Sequence, residues 1–368
     1  MTSTSESRNS PIKLDNLNDA IEFCYESGWT DGLPVVPPTI ELVEKMLDQV
    51  KLDPFETIAE HITTQRKCSA HAAATNAVMA GCLPEHFPVV IAALRAMSKP
   101  DFNYHGSTAS TGGSAHMVIV SGPIVSQLNM NSSGNLFGSG NRANASIGRA
   151  IRLIHMNVFH MEPNITDRST QGNPGKYSLC IAERAEKSPW PSLNEYFGHP
   201  KESIVIVFAT GGFHNIENHF ASTPEEVLLT VADSMSCLDS LTHGQSVVVL
   251  SPETAEIIAE DKTWTREKVQ EYLFNNAWRS INDLERIGRP PMDQTIQSST
   301  QSENYSPGET QFEIDRQIIR KTDPQRYHRG IAPEDILLLV GGGDAGAHSS
   351  FLPSWSRARN SLMQIEVI

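Results

Sequence analysis

The first half of the chain alternates amphipathic stretches with turns rich in proline and glycine. Between Leu14 and Gly28 the apolar residues recur at helical spacing, which predicts a helix. Residues 29–39 contain three prolines and are predicted to be non-helical, and Thr39 is expected to cap a helix that follows it. The same patterning predicts helices over 40–50, 70–81, 85–97 and 141–157, and short strands over 117–120 and 177–181.

Uninterrupted apolar runs characterise the second half of the chain. They cover Ser203–Ala209, Ser246–Leu250 and Asp335–Val340, and each predicts a buried strand. Helices are predicted after these runs over 225–237, 253–260 and 266–276. Apolar strands that alternate with helices indicate a parallel sheet that is covered on both faces.

Together these elements predict an α/β fold. Residues 13–198 are expected to form a helix-rich N-terminal α/β domain, and residues 199–368 a C-terminal domain with a mainly parallel sheet. Residues 1–12 are expected to be a disordered tail. Residues 279–330 are expected to form a long polar loop, and loops of this length are usually functional or mobile.

Composition narrows the classes of partner and the compartment. The 368 residues carry a net charge of −14, which argues against nucleic acid or an anionic membrane surface as a partner. No apolar run approaches the roughly 20 residues of a membrane helix. The five cysteines include no CxxC pair, so neither a disulfide framework nor a structural zinc site is expected, and a cytoplasmic location is predicted.

A glycine-rich loop that leads into an arginine-bearing helix is the clearest candidate for ligand binding. Gly138 and Gly140 allow the backbone to approach a ligand closely. Arg142, Arg149 and Arg152 then follow at helical spacing, beside the positive end of the helix dipole. This pattern predicts a site for a small anion, and the alternative is a surface arginine face paired with acids. Neither a Walker motif nor a complete dinucleotide-binding fingerprint is present.

Two further segments are candidates for the same site. Thr170–Lys176 contains two glycines and ends in Lys176, whose ammonium group is expected to bind the anion; the alternative is an exposed turn. Asp31 lies beside Trp29 in a proline-rich loop that is a candidate pocket wall. The alternative for this loop is an arm that packs across the domain.

Histidines follow glycine-rich turns after two of the apolar strands. His214 and His219 follow the strand at 203–209, and His348 follows the strand at 335–340; His105 lies in an analogous loop. Because ligands bind beyond the carboxyl ends of parallel strands, these side chains are candidate acid/base catalysts. The sequence also suggests His214, His219 and His348 as ligands of a divalent Zn, Mn or Fe ion, with the carboxylates of Glu217 and Asp344 beside them. The alternative is a set of unrelated loop histidines.

Cys82 is the one cysteine placed for reactivity. It lies just before a predicted helix start and close to His86, which favours a nucleophilic thiolate. The alternative is a buried thiol that only packs in the core, which is the common fate of free cysteine.

Four blocks of the sequence resemble a known family. They are GWTDGLPVVPPT at 28–39, NAVMAGCLPE at 76–85, RANASIGRAIRL at 142–153 and TQGNPGKY at 170–177. As a set they are similar to blocks of a largely uncharacterised bacterial family that is associated with UGSC-type selenoproteins and their cysteine counterparts. The resemblance implies a soluble bacterial protein that works with a thiol- or selenol-bearing domain. This chain contains no CGSC or UGSC run and cannot itself supply that redox pair.

The sequence therefore favours an enzyme that acts on a small anionic substrate at an interdomain cleft. A hydrolase or lyase fits best, with histidine acid/base chemistry or a histidine-bound metal. Two alternatives stay open: a thiol-dependent protein that uses Cys82, and a non-catalytic partner of a thiol or selenol redox domain. Homo-oligomerisation is a further expectation.

Overall fold

The helices begin and end close to the predicted positions. A computed structural model of the chain describes residues 11–238, 241–289, 326–356 and 361–368. The α-helices in these ranges are α1 (Leu17–Glu26), α2 (Ile40–Val50), α3 (Ala70–Ala80), α4 (Phe87–Met97), α5 (Tyr104–Ala109), α6 (Ile124–Gln127), α7 (Arg142–Asn157), α8 (Leu193–Tyr196), α9 (Pro224–Met235), α10 (Pro252–Ala259), α11 (Arg266–Asn276) and α12 (Ile281–Arg286).

Side-chain caps explain where the main helices start. Thr39 accepts a hydrogen bond from the backbone N–H of Leu42 at the start of α2, as the sequence predicts. Asn141 does the same for α7 through the N–H of Asn144. Each cap satisfies one of the backbone donors that a helix start leaves unpaired.

The strands are short, and there are more of them than the sequence predicts. In the described ranges they are β1 (Thr57–His61), β2 (Arg66–Ser69), β3 (Ala115–Ser121), β4 (Cys180–Ala182), β5 (Ile204–Thr210), β6 (His214–Glu217), β7 (Ser246–Leu250), β8 (Trp278–Ser280), β9 (Arg326–His328), β10 (Ile336–Val340), β11 (His348–Pro353) and β12 (Gln364–Val367).

Two four-stranded sheets form the centre of the protein. The first has the order β12-β5-β3-β4, and only its β3–β4 pair is parallel. The second has the order β10-β7-β11-β6, and only its β7–β10 pair is parallel. The α/β class is thus confirmed, but the expectation of a mainly parallel sheet is wrong because both sheets are mixed.

The layer order explains why apolar runs suggested parallel strands. Met117, Ile206 and Phe208 of the first sheet pack in one buried cluster with Val249 and Leu339 of the second. The opposite face of the first sheet packs with α3, α4 and α7, and that of the second packs with α9, α10 and α11. Each sheet is therefore covered by a sheet on one side and by helices on the other. Burial on both faces makes a strand apolar throughout, whatever its direction.

The first sheet combines strands from both sides of the predicted domain boundary. The first sheet takes β3 and β4 from before residue 199 and β5 and β12 from after it, so its pairing crosses the predicted domain boundary. Most of the predicted tail, residues 1–10, and residues 290–325 of the predicted loop lie outside the described residues.

None of the helices in the described part of the chain combines the length and apolar character needed to cross a membrane.

Candidate functional site

A hydroxyl and two imidazoles form a chain of contacts inside the N-terminal helical layer. His116 Nε2 lies 2.8 Å from the Oγ atom of Ser107. The other ring nitrogen of His116, Nδ1, lies 3.4 Å from Nε2 of His155. Ser107 and His155 are buried. The three side chains come from α5, β3 and α7, and we call them the Ser107–His116–His155 relay.

Local structure directs these side chains toward one another. In β3, His116 shares a face with Val118 and Val120, which pack in the cluster that contains α7. His155 lies in the last turn of α7, and its ring contacts that of His116 at a centroid distance of 4.7 Å. Ser107 belongs to α5, which begins after Asn103 in the left-handed conformation.

Burial keeps both imidazoles neutral. Burial, followed by the nearby charges of Lys176 and Arg152, lowers the pKa of His116 to about 3. Burial and the neighbouring His116 also lower the pKa of His155 well below its ordinary value. A neutral His116 has one ring nitrogen that accepts a hydrogen bond and one that donates. It can therefore accept the Ser107 proton at Nε2 while Nδ1–H donates to His155.

Two cations and one carboxylate lie beside the relay. Lys176 Nζ lies 2.6 Å from Asp167 Oδ2 and 2.6 Å from Ser169 Oγ, and an Arg152 nitrogen lies 3.6 Å from the same Asp167 oxygen. Burial acts to raise the pKa of Asp167, but hydrogen bonds from Lys176 and Ser169 outweigh it and the pKa is lowered. The ionised trio of Arg152, Lys176 and Asp167 therefore carries a net charge of +1, which favours a monoanion.

A small cavity joins the relay to these charges. Its volume is about 20 Å³, and we call it the histidine cavity. Its lining includes Ser107, Thr108, Ser114, His116, Gly148, Ile151, Arg152, His155, Asp167, Gly175 and Lys176. The space accommodates one water-sized group. The side chains of Arg152 and Lys176 are 13% and 15% exposed, so solvent reaches the charged side of the cavity.

Several buried polar atoms around the cavity have no hydrogen-bond partner among the described protein groups. They are the hydroxyls of Ser114 and Tyr104, Nδ1 of His105 and Nε2 of His61. The Tyr104 ring contacts those of His116 and His155 at 5.7 and 5.3 Å between centroids. His105, a predicted catalytic residue, contacts His61 in this surrounding shell and does not line the cavity.

The arginines of the predicted face of α7 bind different partners. Arg149 forms a bidentate ion pair with Asp31, at 2.8 and 2.9 Å, and also donates to the carbonyls of Leu33 and Pro34. These contacts hold the N-terminal segment against α7, and substrate binding by Arg149 and Asp31 stays a prediction. Arg142 is exposed, donates to the carbonyl of Gly81 and does not line the histidine cavity.

The predicted metal site does not form. Phe351 pairs with His214 and Glu217 pairs with His348, and an odd spacing of three separates 348 from 351 along β11. His214 and His348 therefore point to opposite faces of the sheet and cannot bind one ion. His219 lies near His348, at 5.5 Å between ring centroids. Within the described ranges, no group of three or more His, Cys, Asp or Glu side chains is placed to hold a metal.

The carboxylates proposed beside those histidines have other partners. Glu217 Oε1 lies 3.4 Å from Nε2 of His219, at the surface. Asp344 pairs with Arg184 at 3.0 Å and with Lys187 at 3.6 Å. Neither carboxylate completes a metal-binding set.

Gly138 and His348 meet in a second space that is separate from the histidine cavity. It has a volume of about 300 Å³ and lies between Asn135–Gly138, Gly341–Gly343 and His348; we call it the glycine cleft. A Cβ on Gly138 would lie 2.0 Å from the Asn135 side chain, and Gly140 has a φ of +125°. Both glycines are thus required by the turn itself.

Cys82 is a buried thiol. It is 6% exposed, and burial raises the pKa of its thiol to about 12. Ser146 and Arg142 act in the opposite direction but do not offset burial. The thiol is therefore protonated at neutral pH, which disfavours its predicted role as a nucleophile.

Of the side chains considered for the anion site, Arg152 and Lys176 lie together at Asp167, whereas Arg142 and Arg149 have other partners; the relay beside them was not singled out from the sequence. Ser107 and His116 lie in segments without a recognised catalytic motif. One signal was available, because Arg152 and His155 are three residues apart on α7 and therefore share a face. No protein-family model matches the chain, and a search of curated proteins finds no similar sequence.

Proposed function

We propose that this protein is a hydrolase that acts on a small substrate with one negative charge. Ser107 is the nucleophile, His116 is the general base, and His155 holds His116 in the required tautomer. The observation that supports this most strongly is the 2.8 Å contact between His116 Nε2 and Ser107 Oγ. A nucleophile and base at this distance, with the base oriented by a third group, are the general signature of nucleophilic catalysis.

The chemistry follows from the arrangement of donors and acceptors. Ser107 Oγ attacks an acyl carbon while its proton passes to His116 Nε2. His116 then returns that proton to the leaving group, which departs and leaves an acyl ester on Ser107. Water, deprotonated by His116, attacks the ester and releases the acid product and the free Ser107 hydroxyl.

A bound anion improves the base in this scheme. The pKa of His116, about 3, makes it a weak proton acceptor in the free protein. Lys176 and Arg152 contribute to that lowering. A monoanionic substrate offsets the charge of these two side chains and so removes the smaller part of the lowering, whereas burial, its main cause, persists. The cations thus bind the substrate and also make the base responsive to it.

The size of the histidine cavity restricts the substrate. A space of about 20 Å³ admits one water-sized group of the substrate, while the remainder lies on the solvent side near Arg152 and Lys176. A lyase that uses His116 alone as a base is the second candidate. The contact with Ser107 favours the hydrolase, because a lyase has no use for a nucleophile.

A cytoplasmic location is part of the proposal. Cys24, Cys68, Cys82 and Cys180 are buried and form no disulfide. Reduced cysteines are typical of cytosolic proteins.

A panel of small esters and amides tests the proposal. Each carboxylate-bearing compound is paired with a neutral compound of the same size, and hydrolysis is followed by release of the alcohol or amine. We expect higher kcat/KM for the carboxylates. The Ser107→Ala and His116→Gln variants are each expected to lower kcat by a factor of at least about 10³.

Matched substitutions at exposed positions serve as controls. Ser126→Ala and His71→Gln remove the same groups from exposed sites outside the cavity lining and should leave kcat unchanged. Hydrolysis that persists in Ser107→Ala but is lost in His116→Gln would replace the nucleophilic mechanism with simple base catalysis. Turnover unaffected by either variant would overturn the assignment of the site.

A further inference from the structure

The glycine cleft is a second candidate ligand site, on a part of the molecule that the Ser107–His116–His155 relay does not use. It lies beyond the carboxyl ends of the parallel strands β7 and β10, where Ser251 and Gly341 follow them. Ligands of α/β proteins commonly bind at this edge of a sheet. A volume of about 300 Å³ falls at the lower end of the range of small-molecule sites.

Close approach of two glycine-rich loops forms one wall of the cleft. Ser133 and Gly342 form an isolated parallel bridge, and the backbone N–H of Gly342 donates to the carbonyl of Ser132. A Cβ on Gly341 would lie 2.7 Å from the Leu136 side chain. Side chains at this wall would fill the space, so the glycines keep the cleft open.

Backbone N–H groups of Gly341, Gly342, Gly346 and Ala347 in this loop already donate to protein acceptors. Glu253 accepts hydrogen bonds from the N–H groups of Gly346 and Ala347, at 2.8 Å each. The Gly341 N–H donates to the carbonyl of Leu250. These contacts disfavour an anionic ligand at the glycine loop.

The side chains that line the cleft suit an uncharged planar ring. They include neither lysine nor arginine. Phe137 and Phe213 contact each other at 4.8 Å between centroids, and Phe213 is 49% exposed, so an aromatic surface is accessible. The amide of Asn215 lies 3.2 Å from Nδ1 of His348, and Ser350 lies on the same face. This polar edge both donates and accepts hydrogen bonds.

We propose that the glycine cleft binds an uncharged, planar heteroaromatic ring of the nucleobase type. The ring stacks on Phe213, and its polar edge faces Asn215, His348 and Ser350. Stacking on an aromatic side chain contributes strongly to binding of such rings, and mixed donors and acceptors match their edges. The proposal does not depend on the hydrolase function, because no residue of the histidine cavity takes part in it.

Binding of four nucleosides to the full chain tests this proposal. Adenosine, guanosine, cytidine and uridine are used as probes in saturation-transfer NMR and calorimetry. We expect at least one to bind, and Phe213→Ala to weaken its binding about tenfold or more. Phe220→Ala is the matched control, because Phe220 is 93% exposed and does not line the cleft, so its loss should leave affinity unchanged.

Three results would overturn the proposal. The first is that none of the four nucleosides binds. The second is that Phe213→Ala and Phe220→Ala behave alike, since binding would then be independent of the cleft. The third is much tighter binding of the corresponding 5′-monophosphate, which would make the cleft an anion site. Circular dichroism of both variants ensures that the comparison is between folded proteins.

Discussion

His116 places one ring nitrogen 2.8 Å from the Ser107 hydroxyl and the other 3.4 Å from the ring of His155. This arrangement uses both nitrogens of a neutral imidazole: Nε2 accepts the proton of Ser107, and Nδ1–H donates to His155, which fixes the orientation of the His116 ring. The nearby Lys176 supplies positive charge without donating to the relay, because its ammonium is bound to Asp167 and Ser169. The predictions below separate the roles of these groups.

Replacing Lys176 by methionine should weaken both stability and substrate binding. Asp167 is buried, and after the change its hydrogen bonds from Ser169 remain but its charged partner is only Arg152, at the longer distance of 3.6 Å. We expect a loss of about 2 kcal/mol in the free energy of unfolding, measured in urea. We also expect a raised KM for carboxylate substrates. The double variant Lys176→Met/Asp167→Asn should recover stability but not the KM. Recovery of both would show that Lys176 only neutralises Asp167.

Arg149 should act on stability and not on catalysis. Its bidentate contact with Asp31 is largely buried, since the Asp31 side chain is 3% exposed. Arg149→Met leaves that carboxylate unpaired and should cost about 3 kcal/mol in the free energy of unfolding. Measured at a temperature where the variant is folded, kcat/KM should match that of the wild type. A large fall in kcat/KM without loss of stability would instead support the sequence-based assignment of Arg149 to substrate binding.

His243 should make the protein sensitive to acid. Burial, followed by His328 and Arg329, lowers its pKa from 6.5 to about 3. Between these values the unfolded state binds a proton that the folded state does not. Stability from this group is therefore complete above pH 6.5 and falls as the pH drops toward 3. The slope is at most about 1.4 kcal/mol per pH unit.

Unfolding curves of a His243 variant separate the contribution of this residue to the pH dependence of stability from the contributions of the other buried histidines. His243→Gln should reduce the slope of unfolding free energy against pH on the acid side of neutrality. His71→Gln, at an exposed position, should leave it unchanged. An identical slope in the wild type and His243→Gln would mean that this imidazole does not control the acid response.

Gly148 should not tolerate alanine, although it lies inside α7. Glycine to alanine normally stabilises a helix interior by up to about 1 kcal/mol. Here a Cβ would lie 2.4 Å from Ser178 Oγ and 2.7 Å from the backbone nitrogen of Leu179. The second contact is with backbone and cannot be relieved by a rotamer change. We expect destabilisation of about 1–3 kcal/mol in thermal unfolding, and a more stable Gly148→Ala would contradict this packing.

Local signals explain the parts of the fold that the sequence predicts well. The bounds predicted for Ile40–Val50, Ser246–Leu250 and Arg266–Asn276 are confirmed, because caps and apolar spacing act within a few residues. The arrangement of strands depends on distant pairing, such as that of Gln364 with Val207, and no local pattern specifies it. For the same reason, the sequence did not predict that the second sheet covers one face of the first.

The candidate site could likewise be predicted from the sequence only where local patterns specify it. Arg152 and Lys176 belong to two segments that the sequence marks as candidates for one anion site, and both contact Asp167, while anion binding by them stays a prediction. His116 and His155 are 39 residues apart and become neighbours only because β3 packs against α7. Sequence spacing carries no information about such a contact, so the relay needed the three-dimensional structure.

Covalent labelling of Ser107 tests the central claim most directly. Methanesulfonyl fluoride is among the smallest reagents that sulfonylate serine, and its transfer to the hydroxyl releases fluoride and leaves a sulfonate ester. The labelled residue is identified by peptide mass spectrometry. We expect modification of Ser107 in the wild type and in His71→Gln, and its loss in His116→Gln. Absence of label on Ser107, or equal labelling in His116→Gln, would contradict the account.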